Sequence, residues 1–119
     1  MGSVPRSASL FRVVQKEELD DLSVRRSFRT VPGSIEGKHF WTTREDAERF
    51  VRLLASRWGI GPSWIVEVKV ESGLLDRLAP VTADGRSARV VDETDLDWFN
   101  GVVMALVVPT PDPEGPSDD

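Results

Sequence analysis

The spacing of hydrophobic positions changes along this chain, and each spacing predicts a different element. Residues 43–58 place apolar side chains at i, i+3, i+4, i+7, i+8 and i+11, which is the stripe of an amphipathic helix. Residues 64–71 alternate between apolar and polar side chains late in the run, which predicts a half-buried strand. The helical stripe consists of Ala47, Phe50, Val51, Leu54, Ala55 and Trp58.

Punctuating residues set the bounds of these elements. Thr42 followed by Glu45 matches a capping box at the start of the long helix, and Gly59 predicts its end. The breakers in residues 31–34 indicate a loop, and residues 83–86 a hairpin-like turn. The remaining predictions are strands over 10–14, 39–41 and 88–91, helices over 15–24 and 94–100, a short helix or turn over 74–78, and a fully apolar, central last strand over 102–108.

This order of elements predicts an α+β fold in a single domain over residues 10–108. We expect a mixed or antiparallel split sheet with two main helices, because more strands follow the helices than lie between them. Residues 1–9 are interpreted as disordered or left over from cloning. Residues 109–119 combine prolines and acids without an apolar anchor, which is typical of a disordered tail.

Composition narrows the possible chemistry. The 119 residues carry a net charge of −5 and contain no cysteine and one histidine, which excludes thiolate zinc sites, cysteine nucleophiles and histidine-rich metal sites. An acidic balance disfavours a general nucleic-acid binder, although Arg25, Arg26 and Arg29 form a local basic group. No apolar run is long enough to span a bilayer and no signal peptide is visible, so we expect a cytoplasmic protein without a membrane partner.

Two polar residues within apolar strands are candidates for binding. Arg12 either points to solvent, as strand alternation permits, or needs a carboxylate, phosphate or carbonyl partner, because an unpaired buried charge is costly. His39 either lies at the surface or hydrogen-bonds a ribose hydroxyl or packs on a base. Core packing explains Phe50 and helix capping explains Thr43, so a ligand contact by either would be an additional role.

Four acids lie at the start of the short helix near the C-terminus. Acidic side chains at a helix start complement the helix dipole, which explains the group without any chemistry. The more specific interpretation is that one of these acids is a catalytic carboxylate. The acids are Asp92, Glu93, Asp95 and Asp97.

Three segments together resemble the ADP-ribosyltransferase superfamily, especially its small diphtheria-toxin-like and poly-ADP-ribose-polymerase-like bacterial domains. Residues 10–14 are similar to the first family strand, which carries a His or Arg. Residues 37–43, with Ala47 and Phe50 after them, are similar to the second motif, in which a glycine-containing loop leads through an aromatic strand into a helix. Residues 87–92 and 95–100 are similar to the third motif and the segment after it.

The resemblance implies an NAD-dependent transferase that moves ADP-ribose to a macromolecular target, as a bacterial toxin or effector does. NAD would be the bound cofactor or substrate, the acceptor a protein or a nucleic acid, and a cognate immunity or antitoxin protein a further partner. Loss of nicotinamide passes through an oxocarbenium-like state, which a carboxylate stabilises. The implied roles are NAD binding by Arg12, His39, Phe40, Thr43 and Phe50, and catalysis by Glu93.

Departures from the family pattern keep two alternatives open. Ala47 stands where many relatives have a serine, and Ala88 or Arg89 stands where the third motif usually has its glutamate. A catalytically degenerate protein of the same fold, acting as a binding or regulatory protein in toxin–antitoxin or phage defence, is the first alternative. The second is an α+β interaction module without a nucleotide site, whose acidic surface meets a basic partner.

Overall fold

Six antiparallel strands form one sheet in the order β4-β5-β2-β1-β3-β6. This computed structural model describes residues 7–29, 38–83 and 86–109. The predicted α+β class is confirmed, and the described strands form a single sheet. The elements are β1 (Ser7–Val14), α1 (Lys16–Arg25), β2 (Lys38–Trp41), α2 (Arg44–Trp58), β3 (Trp64–Glu71), β4 (Ala79–Ala83), β5 (Arg86–Val91), α3 (Leu96–Val102) and β6 (Ala105–Val107), with 3-10 turns Ser72–Arg77 and Glu93–Asp95.

The main core lies on the face of the sheet that α1 and α3 cover. Strand alternation directs Leu10 and Val14 of β1 and the three valines of β3 to this face. There they pack against Leu19 and Leu22 of α1. Each side chain of this size contributes roughly 1.5–3 kcal/mol when it leaves water, so this face carries most of the stabilisation. Three phenylalanines complete the core, namely Phe28, Phe40 and Phe99, with ring centroids 5.1 to 6.1 Å apart.

Helix α2 covers the opposite face with a smaller core. Ala47 is fully buried there against Phe11 and Trp41. The predicted stripe is correct only in its first part, because Ala55 is exposed and Trp58 is 54% exposed. The C-terminal part of α2 therefore presents apolar side chains without a covering element among the described residues.

The two ends of α2 follow simple capping chemistry. The N-cap is Thr43 rather than Thr42, and its Oγ1 accepts a hydrogen bond from the backbone N–H of Asp46 at 3.1 Å. The predicted Thr42–Glu45 capping box was thus one residue out of register. Gly59 is the C-cap as predicted, with φ of 64° in the left-handed region that glycine adopts without steric cost.

The last strand is at an edge of the sheet, so the prediction of a central strand was wrong. Among the described strands, β6 pairs with β3 alone, and Val107 is 50% exposed. The strand is shorter than the apolar run in the sequence, because Val102 still belongs to α3. A short apolar run has the same pattern in a central strand as in an edge strand, so the sequence alone does not distinguish the two positions.

Further differences concern boundaries. The strand β1 begins at Ser7, so part of the predicted disordered N-terminus is paired with β3. The strand β4 was not predicted, and it pairs with β5 from Ala79 opposite Val90 to Ala83 opposite Arg86. The predicted loop 31–34, the centre of the predicted turn 83–86 and the tail from residue 110 lie outside the described residues. Within the described part of the chain, no helix has the length and apolar character needed to cross a membrane.

Candidate functional site

A groove lies between α2 and the sheet where β1 adjoins β2, and we call it the ring groove. Its volume is about 370 Å³, at the small end of the range for small-molecule sites. Arg12 and Gln15 border it. Its remaining walls are Val13, His39, Trp41, Phe50, Leu54 and Ile60.

Two aromatic rings from different elements meet at this groove. Phe50 comes from the apolar stripe of α2 and Trp41 from the end of β2, and their centroids are 5.1 Å apart at an angle of 45°. Trp41 is buried, whereas Phe50 is half-buried and keeps part of its ring at the groove. The arrangement therefore offers an aromatic surface on which a flat ring can pack.

Arg12 is held by groups of the protein itself. Its Nε and Nη2 donate to the two carboxylate oxygens of Glu18 at 2.7 and 2.9 Å, which is a two-point ion pair between β1 and α1. Its Nη1 donates to the main-chain carbonyl oxygen of His39 at 3.2 Å. Of the two alternatives for Arg12, the structure has the one with an anionic partner.

A second cation approaches the same carboxylate. Lys38 is only 8% exposed, and its Nζ lies 3.4 Å from an oxygen of Glu18. Burial raises the pKa of Glu18, but the hydrogen bonds and charge of Arg12, with the charge of Lys38, outweigh it, so this pKa is lower than usual. Burial and the charge of Arg12 lower the pKa of Lys38, and Glu18 opposes them only partly. These three side chains together carry one excess positive charge.

Arg12 and His39 point to opposite faces of the sheet. Arg12 reaches α1, and its guanidinium lies 6.0 Å from the ring centroid of Phe40, which belongs to the main core. His39 precedes Phe40 and therefore points to the α2 face, where it is exposed at the ring groove. The two residues meet only at the border of the groove, through the carbonyl oxygen of His39.

The other predicted binding residues differ in position. Phe50 lines the ring groove as the resemblance implied. Phe40 does not, because alternation buries it completely in the main core between Phe28 and Phe99. Thr43 is not among the residues that line the groove, and its hydroxyl caps α2. Glu93 begins the 3-10 turn Glu93–Asp95, one residue after the end of β5, and its side chain lies outside what the structure describes.

The three arginines that form the local basic group have partners in the structure. Arg25 and Arg29 both pair with Asp21, and Arg26 donates to the carbonyl oxygen of Leu106. Asp95 is the residue before α3, in agreement with the helix-dipole interpretation. Among the residues that the structure describes, no group of three or more His, Asp or Glu side chains could hold a metal ion.

Sequence reasoning missed several residues of the site. Glu18 and Lys38 were not predicted as partners of Arg12, because their approach depends on how α1 packs on β1 and β2. Leu54 was assigned to the helical stripe, and its place on the wall follows from that stripe. Ile60 lies just past the glycine cap of α2, and no pattern in the sequence marks it.

Comparison with known proteins adds no relative. The chain matches no family model, no curated protein and no solved structure.

Proposed function

We propose that this chain binds NAD and holds the nicotinamide ring of the dinucleotide in the ring groove. The observation that carries the proposal is the convergence of Phe50, Trp41 and His39 on one concave, largely apolar volume of about 370 Å³. A flat heteroaromatic ring would pack on Phe50, and the exposed imidazole of His39 would hydrogen-bond a ribose hydroxyl or the carboxamide. The volume suits one ring-bearing half of a dinucleotide, so the other half would extend over the surface.

The charge beside the groove also supports an anionic ligand. Arg12, Lys38 and Glu18 together carry one excess positive charge, and Arg12 borders the groove. Weakly solvated charges act over longer distances than exposed ones, so a phosphate at the mouth of the groove would gain from this field. In this proposal Arg12 acts mainly by holding the main chain of His39 and by its charge.

ADP-ribosyl transfer is the second candidate function, and one feature of the sheet favours it. In the register of β2 and β5, His39 lies opposite Val90 and Lys38 opposite Val91, so β5 leads into Glu93 at the same end of the sheet as His39. A carboxylate there would stabilise the positive charge that develops on the ribose when nicotinamide leaves. The described residues that line the ring groove include no carboxylate, and this favours binding as the primary proposal.

Calorimetric titration of the 119-residue chain with NAD tests the binding proposal. His39→Ala and Phe50→Leu should each weaken NAD binding by about threefold to tenfold, as expected for one hydrogen bond or one ring contact. The matched control is Glu45→Gln, an exposed residue in the first turn of α2 that should bind NAD as the wild type does. Nicotinamide and ADP-ribose, titrated separately, identify the half that enters the groove.

Two results would decide against these proposals. If NAD at millimolar concentration produces no heat and no increase in melting temperature, the ring groove is not a nucleotide site. If NAD binds but no nicotinamide is released in the presence of cell extract, the chain is a binding protein and transfer is excluded. Release that Glu93→Gln abolishes, while NAD still binds, would instead establish the transferase.

A further inference from the structure

The strand β6 forms one edge of the sheet, and the side chain of Arg26 lies against it. Among the described strands, β6 has a neighbour on one side only, which is β3. Nη2 of Arg26 donates to the main-chain carbonyl oxygen of Leu106 at 2.6 Å, so the end of α1 contacts a strand that follows it by 80 residues. A charged side chain at an exposed edge is a common protection against pairing with a further strand.

The backbone of Arg26 adopts a conformation that disfavours an arginine. Arg26 is the C-cap of α1, and its φ of 61° lies in the left-handed region. Among the residues that the structure describes, it is the one non-glycine residue with a positive φ. Glycine or asparagine adopts this conformation more readily. The local backbone therefore favours a glycine here, and the contact with Leu106 offsets the strain of the arginine.

Leu106 turns its main-chain N–H and C=O groups away from the sheet. The carbonyl oxygen of Lys69 accepts from the N–H of Met104 at 2.8 Å, so Lys69 of β3 directs its main-chain groups toward β6. Successive residues of a strand direct these groups to opposite sides, so Val68 faces β1 instead. Leu106 lies opposite Val68 and therefore presents its own N–H and C=O to the outside. The contact of its carbonyl oxygen with Arg26 agrees with this geometry.

A second copy of the chain fits this edge. If two β6 strands meet antiparallel about a two-fold axis at Leu106, each Leu106 donates its N–H to the carbonyl oxygen of the other, so both outward groups are used. Ala105 and Val107 are exposed and apolar, and they would lie opposite each other across the axis. The other edge of the sheet is a poorer partner, because β4 contains Pro80, which has no N–H to donate.

We propose that β6 is a pairing surface for β6 of a second copy, and that Arg26 holds this surface closed. Pairing needs the carbonyl oxygen of Leu106, which the guanidinium occupies, so each copy must release its Arg26 before the strands meet. The two guanidiniums would also approach each other near the axis, where like charges repel. A strand of three residues offers only two main-chain hydrogen bonds across the axis, so these costs keep the protein monomeric.

Sedimentation equilibrium of the 119-residue chain tests this proposal. Arg26→Gly removes the guanidinium and introduces the residue that suits the backbone of the cap, so the variant should fold. We expect its dimer dissociation constant to be at least about tenfold below that of the wild type, because two charged hydrogen bonds no longer oppose the pairing. Arg26→Asn, which tolerates the same conformation, should associate in the same way.

The matched control is Arg25→Ala. It removes one positive charge from the same turn, and its guanidinium pairs with Asp21 rather than with β6. This variant should sediment as the wild type does. Equal association of the wild type and Arg26→Gly, or an equal increase in Arg25→Ala, would overturn the proposal.

Engineered disulfides identify the surface that pairs. The chain has no cysteine, so Ala105→Cys and Val107→Cys can each be introduced alone into the Arg26→Gly variant. In the proposed pair, position 105 of one copy and position 107 of the other have Cα atoms about 4.5 Å apart, whereas the two positions 105 are roughly 7–8 Å apart, too far for a disulfide. Oxidation of a mixture of the two variants should therefore give the mixed covalent dimer. Self-dimers of either variant in equal yield, or no covalent dimer, would overturn the proposal.

Discussion

Glu18 of α1 binds the guanidinium of Arg12 of β1 at two points, with Nε–Oε2 and Nη2–Oε1 distances of 2.7 and 2.9 Å. This pair is partly buried, with 17% of the Arg12 side chain and 20% of the Glu18 side chain exposed. It joins the first strand to the first helix, and through the carbonyl oxygen of His39 it also holds β2. The guanidinium of Arg12 therefore joins β1, α1 and β2 whether or not a ligand is bound.

Removal of the Glu18 charge should destabilise the protein strongly. Glu18→Gln removes the anion that contacts both Arg12 and Lys38, two weakly solvated cations, and leaves only the more distant charge of Asp21 near Lys38. We therefore expect the free energy of unfolding to fall by about 2–3 kcal/mol. Urea unfolding at neutral pH measures it. Glu17→Gln is the matched control, because Glu17 is the exposed neighbour and should change stability by less than about 0.5 kcal/mol. Equal effects of the two substitutions would show that the ion pair contributes nothing net.

The lowered pKa of Glu18 predicts loss of stability in acid. Its stabilising contribution is complete above the unfolded-state pKa of about 4.3 and is lost as the pH falls through the lower pKa of the folded state. The hydrogen bonds from Ser9 and Lys69 lower the pKa of Glu67 as well. Part of the loss of stability in acid therefore comes from protonation of Glu67. Urea unfolding between pH 6 and pH 3 should show a smaller decline in Glu18→Gln than in the wild type. A parallel decline would assign the acid sensitivity elsewhere.

Asn100 should be needed for the order of the aromatic core. Its Oδ1 accepts from the backbone N–H of Phe28 at 2.8 Å, and its Nδ2 donates to the carbonyl oxygen of Phe28 at 2.7 Å. We expect Asn100→Ala to cost about 2 kcal/mol, because it leaves both main-chain groups unpaired in a partly buried place. Asn100→Asp keeps the acceptor but places a second, negatively charged oxygen against the carbonyl oxygen of Phe28, so thermal unfolding should show it to be at least as unstable as Asn100→Ala. An alanine variant as stable as the wild type would show that water replaces the side chain.

Two glycine-to-alanine substitutions should change the free energy of unfolding in opposite directions. Gly59 adopts a φ of 64°, and a methyl group there meets no atom within 4 Å, so Gly59→Ala should cost about 1 kcal/mol through backbone strain alone. Gly101 lies within α3 and also has free space, so Gly101→Ala should stabilise the protein by about 0.5 kcal/mol through helix propensity. Chemical unfolding of both variants measures the difference. Two changes of the same sign would contradict this account of Gly59.

Local patterns predicted much of the secondary structure. The strand β3 has the predicted bounds, and α2 has the predicted glycine cap, because alternation, helical spacing and a left-handed C-cap act within a few residues of chain. The same patterns place Phe50 on the inner side of α2. Strand alternation also places His39 and Phe40 on opposite faces of the sheet. The family resemblance nevertheless implied NAD binding by both residues.

The sequence by itself determined the α+β class, the types of the elements other than β4, and the sequence of faces along each strand, because these follow from short-range sterics and from the burial of apolar side chains. Only the tertiary structure decided that Glu18 pairs with Arg12, that β6 lies at an edge, and that α2 leaves the ring groove beside the sheet. Each of these depends on which distant segments pack together. A carboxylate in a helix has the same local pattern whether it faces water or a guanidinium, so only the packing of α1 on β1 distinguishes the two.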